Sequence, residues 1–198
     1  MTVNKVGRPS KAKERIGQIL RAAHSVVATD GFADTTLSRV AAAAGVQRTL
    51  VLHYFGSRDG LMRAFVTEAV AAYGDAQLRL GAEGPIEDRV ARMFAPGAYG
   101  TRDDLVVWSE LVNLAARDEV VRHSLRELWT ERWLPELERQ LAAAYPAAPE
   151  DRVATSAYGL ACLFEAHWAF HLQGVVDSLR TEQATRAADA LLATLEPE

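Results

Sequence analysis

The chain has 198 residues, 49% of them hydrophobic, with a formal net charge of −4 and one cysteine. That length and composition suit one or two domains with a sizeable core and exclude a disordered chain. The lone Cys162 excludes an intramolecular disulfide framework, and no apolar run nears the roughly eighteen residues a membrane span requires.

The first ten residues, MTVNKVGRPS, lack the apolar stretch of a signal peptide, so a cytoplasmic protein without a membrane partner is expected. Cys162, between Ala161 and Leu163, reads as a reduced core residue. Charge is uneven: residues 1–63 hold ten Lys/Arg against four Asp/Glu, a net of +6, while the remainder carries −10. A basic head on an acidic body suggests nucleic acid at one end.

Residues 1–10 form a basic arm expected to be flexible. From Lys11 to Ala28, Ile16, Ile19, Leu20, Ala23 and Val27 fall on one face of a helix that Asp30-Gly31 ends. Thr36 stands as the N-cap of a second helix to about Ala44, closed by Gly45. A third runs from about Gln47 to Tyr54. Ser57 caps a fourth, with Leu61, Met62, Phe65, Ala69 and Tyr73 on one face. The run Leu80-Gly81-Ala82-Glu83-Gly84-Pro85 breaks the chain, giving a helix-turn-helix over 11–57, a connecting helix over 58–80 and a body over 85–198.

In the body, a helix is expected from Pro85 to about Phe94 and another from a Thr101/Asp104 capping box to about Ala116. A longer helix spans Asp118 to about Tyr145, kinked or divided at Pro135. Glu150 to about Gln173 forms the next, ended by Gly174. Thr181 to Leu195 forms the last, with Ala184, Ala188, Leu191 and Leu195 aligned. The fold class is all-α, with about nine helices and no sheet.

Two short helices joined by a turn containing Gly are the layout of a helix-turn-helix, whose second helix enters the DNA major groove. That groove, about 12 Å wide, admits one helix bearing polar or small side chains. Gln47, Arg48, Thr49, Leu52 and His53 supply such a face, with Val51 and Phe55 turned inward. Arg pairs bidentately with guanine, Gln with adenine, and a Leu or Thr methyl meets the thymine methyl. Thr36 at a helix N-terminus, His53, Tyr54 and Arg58 stand where phosphates would be anchored. Lys5, Arg8, Lys11 and Lys13 add non-specific attraction or reach a minor groove.

The segment resembles the N-terminal domain of the TetR family of bacterial repressors. Thr35-Thr36, Val40-Ala41, Ala44-Gly45-Val46, His53-Tyr54-Phe55, Ser57-Arg58 and Leu61 carry the resemblance, which covers about residues 10–75. The reading helix departs from the family pattern at Gln47, Thr49 and Leu52. Leu52 lacks the hydroxyl of a customary phosphate contact.

The resemblance implies a regulator that represses by binding a pseudo-palindromic duplex as a homodimer, with a small-molecule inducer in the body and no enzymatic role. The last two helices, with Ala184, Ala187, Ala188 and Leu191, are the expected dimer interface. Trp129-Thr130-Glu131-Arg132-Trp133 and Leu52-His53-Tyr54-Phe55 faintly resemble the choline- and betaine-type branch, without assigning a ligand.

Trp108, Asn113, Trp129, Trp133, Phe164, His167, Trp168 and His171 combine apolar area with a few polar groups, as a ligand pocket or plain core does. His167 and His171 share a helical face near Glu165, a spacing found in zinc sites, but no further ligand stands at a persuasive spacing. No cofactor and no metal are expected. No phosphate loop, catalytic triad or paired carboxylates favour an enzyme, and a non-specific or ligand-independent DNA binder remains an alternative.

Overall fold

A computed structural model describes residues 11–80 and 84–197, without the side chains of 76–80; the basic arm and most of the break at 81–84 lie outside it. The described residues are helical and include no strand. They divide into two compact units inside the fourth helix, after Ala69.

In the first unit, α1 (Lys11–Asp34) buries Ile19, Leu20, Ala23 and Val27 along the expected stripe. Gly31, at φ 82° and ψ 165°, interrupts its helical backbone where Asp30-Gly31 was expected to end it, and a last short turn continues to Asp34. The Thr36 hydroxyl caps α2 (Leu37–Ala43), accepting from the Arg39 N–H at 3.2 Å. At the other end, Gly45 N–H donates to the Ala42 carbonyl and Val46 N–H to the Ala41 carbonyl. This paired closure needs the left-handed backbone that Gly45 supplies at φ 62°. The Gln18 amide ties α1 to the same corner through the Ala44 carbonyl at 2.7 Å.

The third helix, α3 (Arg48–Phe55), is anchored by Val51, which is wholly buried. Gln47 is its N-cap residue and not part of the helix. The fourth, α4 (Arg58–Leu80), starts where the Ser57 hydroxyl accepts from the Gly60 N–H at 3.0 Å. Leu61, Met62, Phe65 and Val66 are buried, and Phe65 meets the His24 ring of α1 edge-on at 6.5 Å.

The second unit opens with the remainder of α4. There follow α5 (Ile86–Met93), with Ile86, Val90 and Met93 buried at helical spacing, and α6 (Arg102–Ala115). The Thr101/Asp104 capping box is complete, each side chain bonding the other's backbone N–H. Asp118 caps α7 (Glu119–Glu127) by accepting from Val120 and Val121 N–H.

A π-helical turn over Leu128–Trp133 joins α7 to α8 (Leu134–Ala144), whose first turn holds Pro135. Proline donates no backbone hydrogen bond, and just ahead of it the Leu134 N–H reaches back five residues to the Trp129 carbonyl. The division expected at Pro135 is thus a widened turn in a continuous helix, and nine continuous helices result among the described residues.

The last pair is α9 (Glu150–Leu172) and α10 (Ser178–Ala193), the latter beginning earlier than expected because Asp177 caps it. Ala184, Ala188, Leu192 and Leu195 face inward; Leu191, expected on that face, is only half-buried and packs on Gly159 of α9. Cys162 is exposed, contrary to the core placement expected. Its neighbours Ala161 and Phe164 belong to the buried stripe of α9, whereas Cys162 shares the outer face with Tyr158 and Ala166.

At Gly60 an added Cβ would stand 2.0 Å from the Phe55 carbonyl oxygen, a backbone atom with little freedom to retreat. Gly60→Ala should therefore destabilise the first unit by about 1–3 kcal/mol, measured as a lower midpoint in chemical denaturation followed by circular dichroism.

Candidate nucleic-acid interface and aromatic enclosure

Helix α3 is fixed from below and free above. Val51 pins it to the core of the first unit, while Arg48, Thr49, Leu52 and His53, at offsets of one, four and five, share the opposite face and are exposed. Gln47 is extended at φ −74° and ψ 143°, and its side chain makes no capping bond, so its amide is free to project. Leu52 keeps 39% of its surface exposed, a large apolar side chain standing in solvent on this face. Tyr54 and Phe55 are half-buried, and the His53 and Tyr54 rings meet edge-on at 5.3 Å.

Thr36 is exposed and uses its oxygen as a cap acceptor, which leaves its hydroxyl proton to donate. Arg15, given no role on sequence grounds, lines a shallow recess with Gln47, Thr49 and His53. Its signal was the i,i+4 pair Lys11/Arg15 on one face of α1.

Arg58, expected to anchor a phosphate, has most of its donors engaged within the first unit. Its Nε donates to the Thr35 carbonyl at 2.8 Å, and Nη2 to the carbonyls of Phe32 at 2.7 Å and Ala33 at 3.2 Å. The guanidinium also stands 5.8 Å from the centre of the Phe32 ring. These carbonyls lie at the end of α1, where the helix leaves acceptors without internal donors. Arg58 thus closes α1 from the first residue of α4, and only Nη1, near Asp59, is uncommitted to a carbonyl.

The second unit gathers most of the aromatic candidates. Six rings form a closed circuit of neighbours, whose successive centroids are separated as follows: Tyr73 to Trp108 by 3.6 Å, Trp108 to Trp129 by 6.3 Å, Trp129 to Trp133 by 5.1 Å, Trp133 to Phe164 by 6.4 Å, Phe164 to Tyr99 by 6.1 Å, and Tyr99 back to Tyr73 by 5.3 Å. Trp168 packs against Phe164 and Tyr99, its indole N–H donating to the Met93 carbonyl at 3.2 Å. His167 is buried against Phe94 and Trp168. Burial, then the nearby His171, lowers its pKa and favours the neutral ring.

His171 is exposed and meets the Trp168 ring at 5.3 Å, and Asn113 is exposed on α6. Among the described residues no group of three or more His, Cys, Asp or Glu is placed to hold a metal ion.

Glu165 bonds to this circuit. Its Oε1 accepts from the Tyr73 hydroxyl at 2.5 Å and its Oε2 from the Trp108 indole N–H at 2.8 Å. Burial raises its pKa, and the two donated bonds offset part of that rise. Burial likewise holds the Tyr73 phenol well above its ordinary pKa, with Glu165 and Tyr99 adding to the effect. No Lys or Arg among the described residues forms an ion pair with Glu165. A carboxylate among aromatic faces, without a cation of its own, makes a locally negative environment.

Tyr73 and Tyr99 were not among the sequence candidates, and Glu165 entered only as a tentative metal ligand. The available signal was an acidic residue inside the apolar stretch Leu163-Phe164-Glu165-Ala166-His167-Trp168.

Comparisons with known proteins bear on both regions. The family model for bacterial regulatory proteins of the tetR family matches residues 19–65. The HTH-type transcriptional regulator BetI of Stenotrophomonas maltophilia is 30% identical over 147 residues, covering 73% of this chain and 67% of that protein. BetI 1 of Chromohalobacter salexigens is 36% identical over 67 residues, and there the match spans only 34% of this chain and 33% of the relative. A transcriptional regulator from Saccharomonospora viridis, solved in complex with choline, shares the fold with a TM-score of 0.73 at 16% identity, covering 91% of this chain and 96% of that one.

Arg58→Ala should lower the stability of the first unit by about 1–3 kcal/mol, since it removes a charged donor from three carbonyls. Thermal unfolding checks this. An unshifted midpoint would show that the guanidinium contributes nothing to closing α1.

Proposed function

Because the chain belongs to the TetR family of bacterial regulatory proteins, we propose that it is a repressor that leaves its operator when a small organic cation enters the second unit. Transcriptional regulation through a helix-turn-helix is the common property of its relatives. The finer assignments rest on local chemistry. Gln47, Arg48, Thr49, Leu52 and His53 read base edges, while Thr36, Tyr54 and the α1 cation Arg15 contact phosphates. Leu52 offers apolar contact, which suits a thymine methyl.

Two copies pair through α9 and α10, whose outer faces carry Tyr158, 64% exposed, together with Phe170 and Leu179. Four such helices make a two-fold bundle. A dimer of this kind places its two reading helices about 34–36 Å apart on a pseudo-palindrome. Among the described residues no helix is long and apolar enough to cross a membrane, and the proposed site of action is the cytoplasm.

The observation carrying the ligand class is Glu165, a half-buried carboxyl group bonded to two members of an aromatic circuit and without a basic partner among the described residues. An aromatic face attracts a quaternary ammonium by about 2 kcal/mol when water is excluded. An alkylated ammonium also has no N–H that must be satisfied. Choline, bound by the Saccharomonospora viridis neighbour, has this chemistry. Tyr73 lies on α4, the helix that begins with Arg58. A cation competing for Glu165 would break the Tyr73 bond and shift the population of α4 toward a form that binds DNA less well.

A footprint on DNA flanking the gene, repeated with choline, tests the whole reading. A discrete protected palindrome that disappears with choline is the expected result, whereas uniform protection of unrelated duplexes would indicate a non-specific binder.

Arg48→Ala should cost about 1–3 kcal/mol of preference at one base pair per half-site, read by selection from randomised duplexes. Choline affinity should also depend on pH in a set direction. The cation prefers the ionised carboxylate, so affinity is full above the raised pKa of Glu165 and falls as pH drops through it, at a higher pH than for an exposed glutamate. Calorimetric titration across that range measures it, and a flat profile would remove Glu165 as the counter-ion.

A further inference from the structure

Tyr99 holds a polar atom for which the enclosure has no internal use. The residue is only 7% exposed, and its hydroxyl makes no hydrogen bond. Three neighbouring donors are committed: the Tyr73 hydroxyl and the Trp108 indole to Glu165, and the Trp168 indole to the Met93 carbonyl. Tyr73 lies near enough to bear on the ionisation of Tyr99, but no hydrogen bond of acceptable geometry joins the two hydroxyls.

The orphan does not arise from a loose side chain. Tyr99 sits in the connection between α5 and α6, and its ring is wedged between Tyr73 at 5.3 Å, Trp168 at 5.5 Å and Phe164 at 6.1 Å. Gly100, at φ 100°, shapes the chain beside it, where a Cβ would stand 2.7 Å from Asp104 Oδ2. Phenylalanine would pack as well in such a place and would leave no unmet hydroxyl. Buried groups without partners are rare in folded proteins and tend to mark a site where something else completes the bond.

We propose that Tyr99 selects among ammonium ligands by hydrogen-bonding an oxygen carried a short distance from the cationic nitrogen. The inference rests on the reading of the aromatic enclosure as a cation site and adds the shape of the ligand's other end. Aromatic faces and Glu165 recognise the alkylated nitrogen without distinguishing its tail. Tyr99 supplies that distinction, because a hydrocarbon tail leaves the hydroxyl unmet and an oxygen-bearing tail satisfies it.

The test compares choline with propyltrimethylammonium, in which a methyl replaces the hydroxyl, by calorimetric titration of the wild-type chain and of Tyr99→Phe. The wild type should bind choline about tenfold more tightly than the hydrocarbon analogue. Tyr99→Phe should bring choline down to the level of the analogue, leave the analogue unchanged, and melt no lower than the wild type. Equal affinity of the wild type for the two cations would overturn the selection by Tyr99 even if the variant failed to fold. A variant that weakens both cations alike would overturn it too, by reducing Tyr99 to a packing residue. If neither cation binds the wild type, the cation reading itself fails and takes this inference with it.

Discussion

The carboxylate of Glu165 is the constraint on which the second unit turns. It comes from α9 and is held by a hydroxyl from α4 and an indole from α6, so three helices meet at one half-buried carboxyl group. Taking a carboxylate out of water costs several kcal/mol, and two donated bonds return only part of it. The aromatic rings around it add apolar area but no positive charge. The group therefore holds its proton more tightly than an exposed glutamate does.

The first unit is organised by the opposite charge. Arg58 ends α1 by collecting carbonyls that the helix itself cannot satisfy, and Gly45 ends α2 with a left-handed turn. These two closures set the short α3 on its buried Val51 with its other face in solvent. Gly60 lets the start of α4 pass close to the end of α3. Few residues are spent on position, and the exposed face of α3 is left free to vary. The departures at Gln47, Thr49 and Leu52 fall on or beside that face and not on its supports.

Much of this was legible in the sequence because it is written in short-range signals. Thr36, Gly45, Ser57, the Thr101/Asp104 box and the α1 stripe each act within a turn or two of themselves, and the helices they delimit appear as expected. What stayed hidden depends on contacts between residues far apart in the chain. Arg58 reads as a surface cation until the carbonyls 23 to 26 positions earlier are placed beside it. Tyr73 and Glu165 stand 92 residues apart, and no local period links them. Cys162 was misplaced because flanking apolar residues signal burial only on average, whereas a helix turns each position through 100°. One residue's step is enough to carry a side chain from core to solvent.

The distribution of indoles has a practical corollary. The chain contains four tryptophans, at positions 108, 129, 133 and 168, and all belong to the aromatic group of the second unit. Light absorbed at the red edge of the protein's ultraviolet band is thus re-emitted from one unit only, and the DNA-reading unit is dark at that wavelength. Emission colour and backbone dichroism followed together during melting would separate the loss of the two units in a single unlabelled sample.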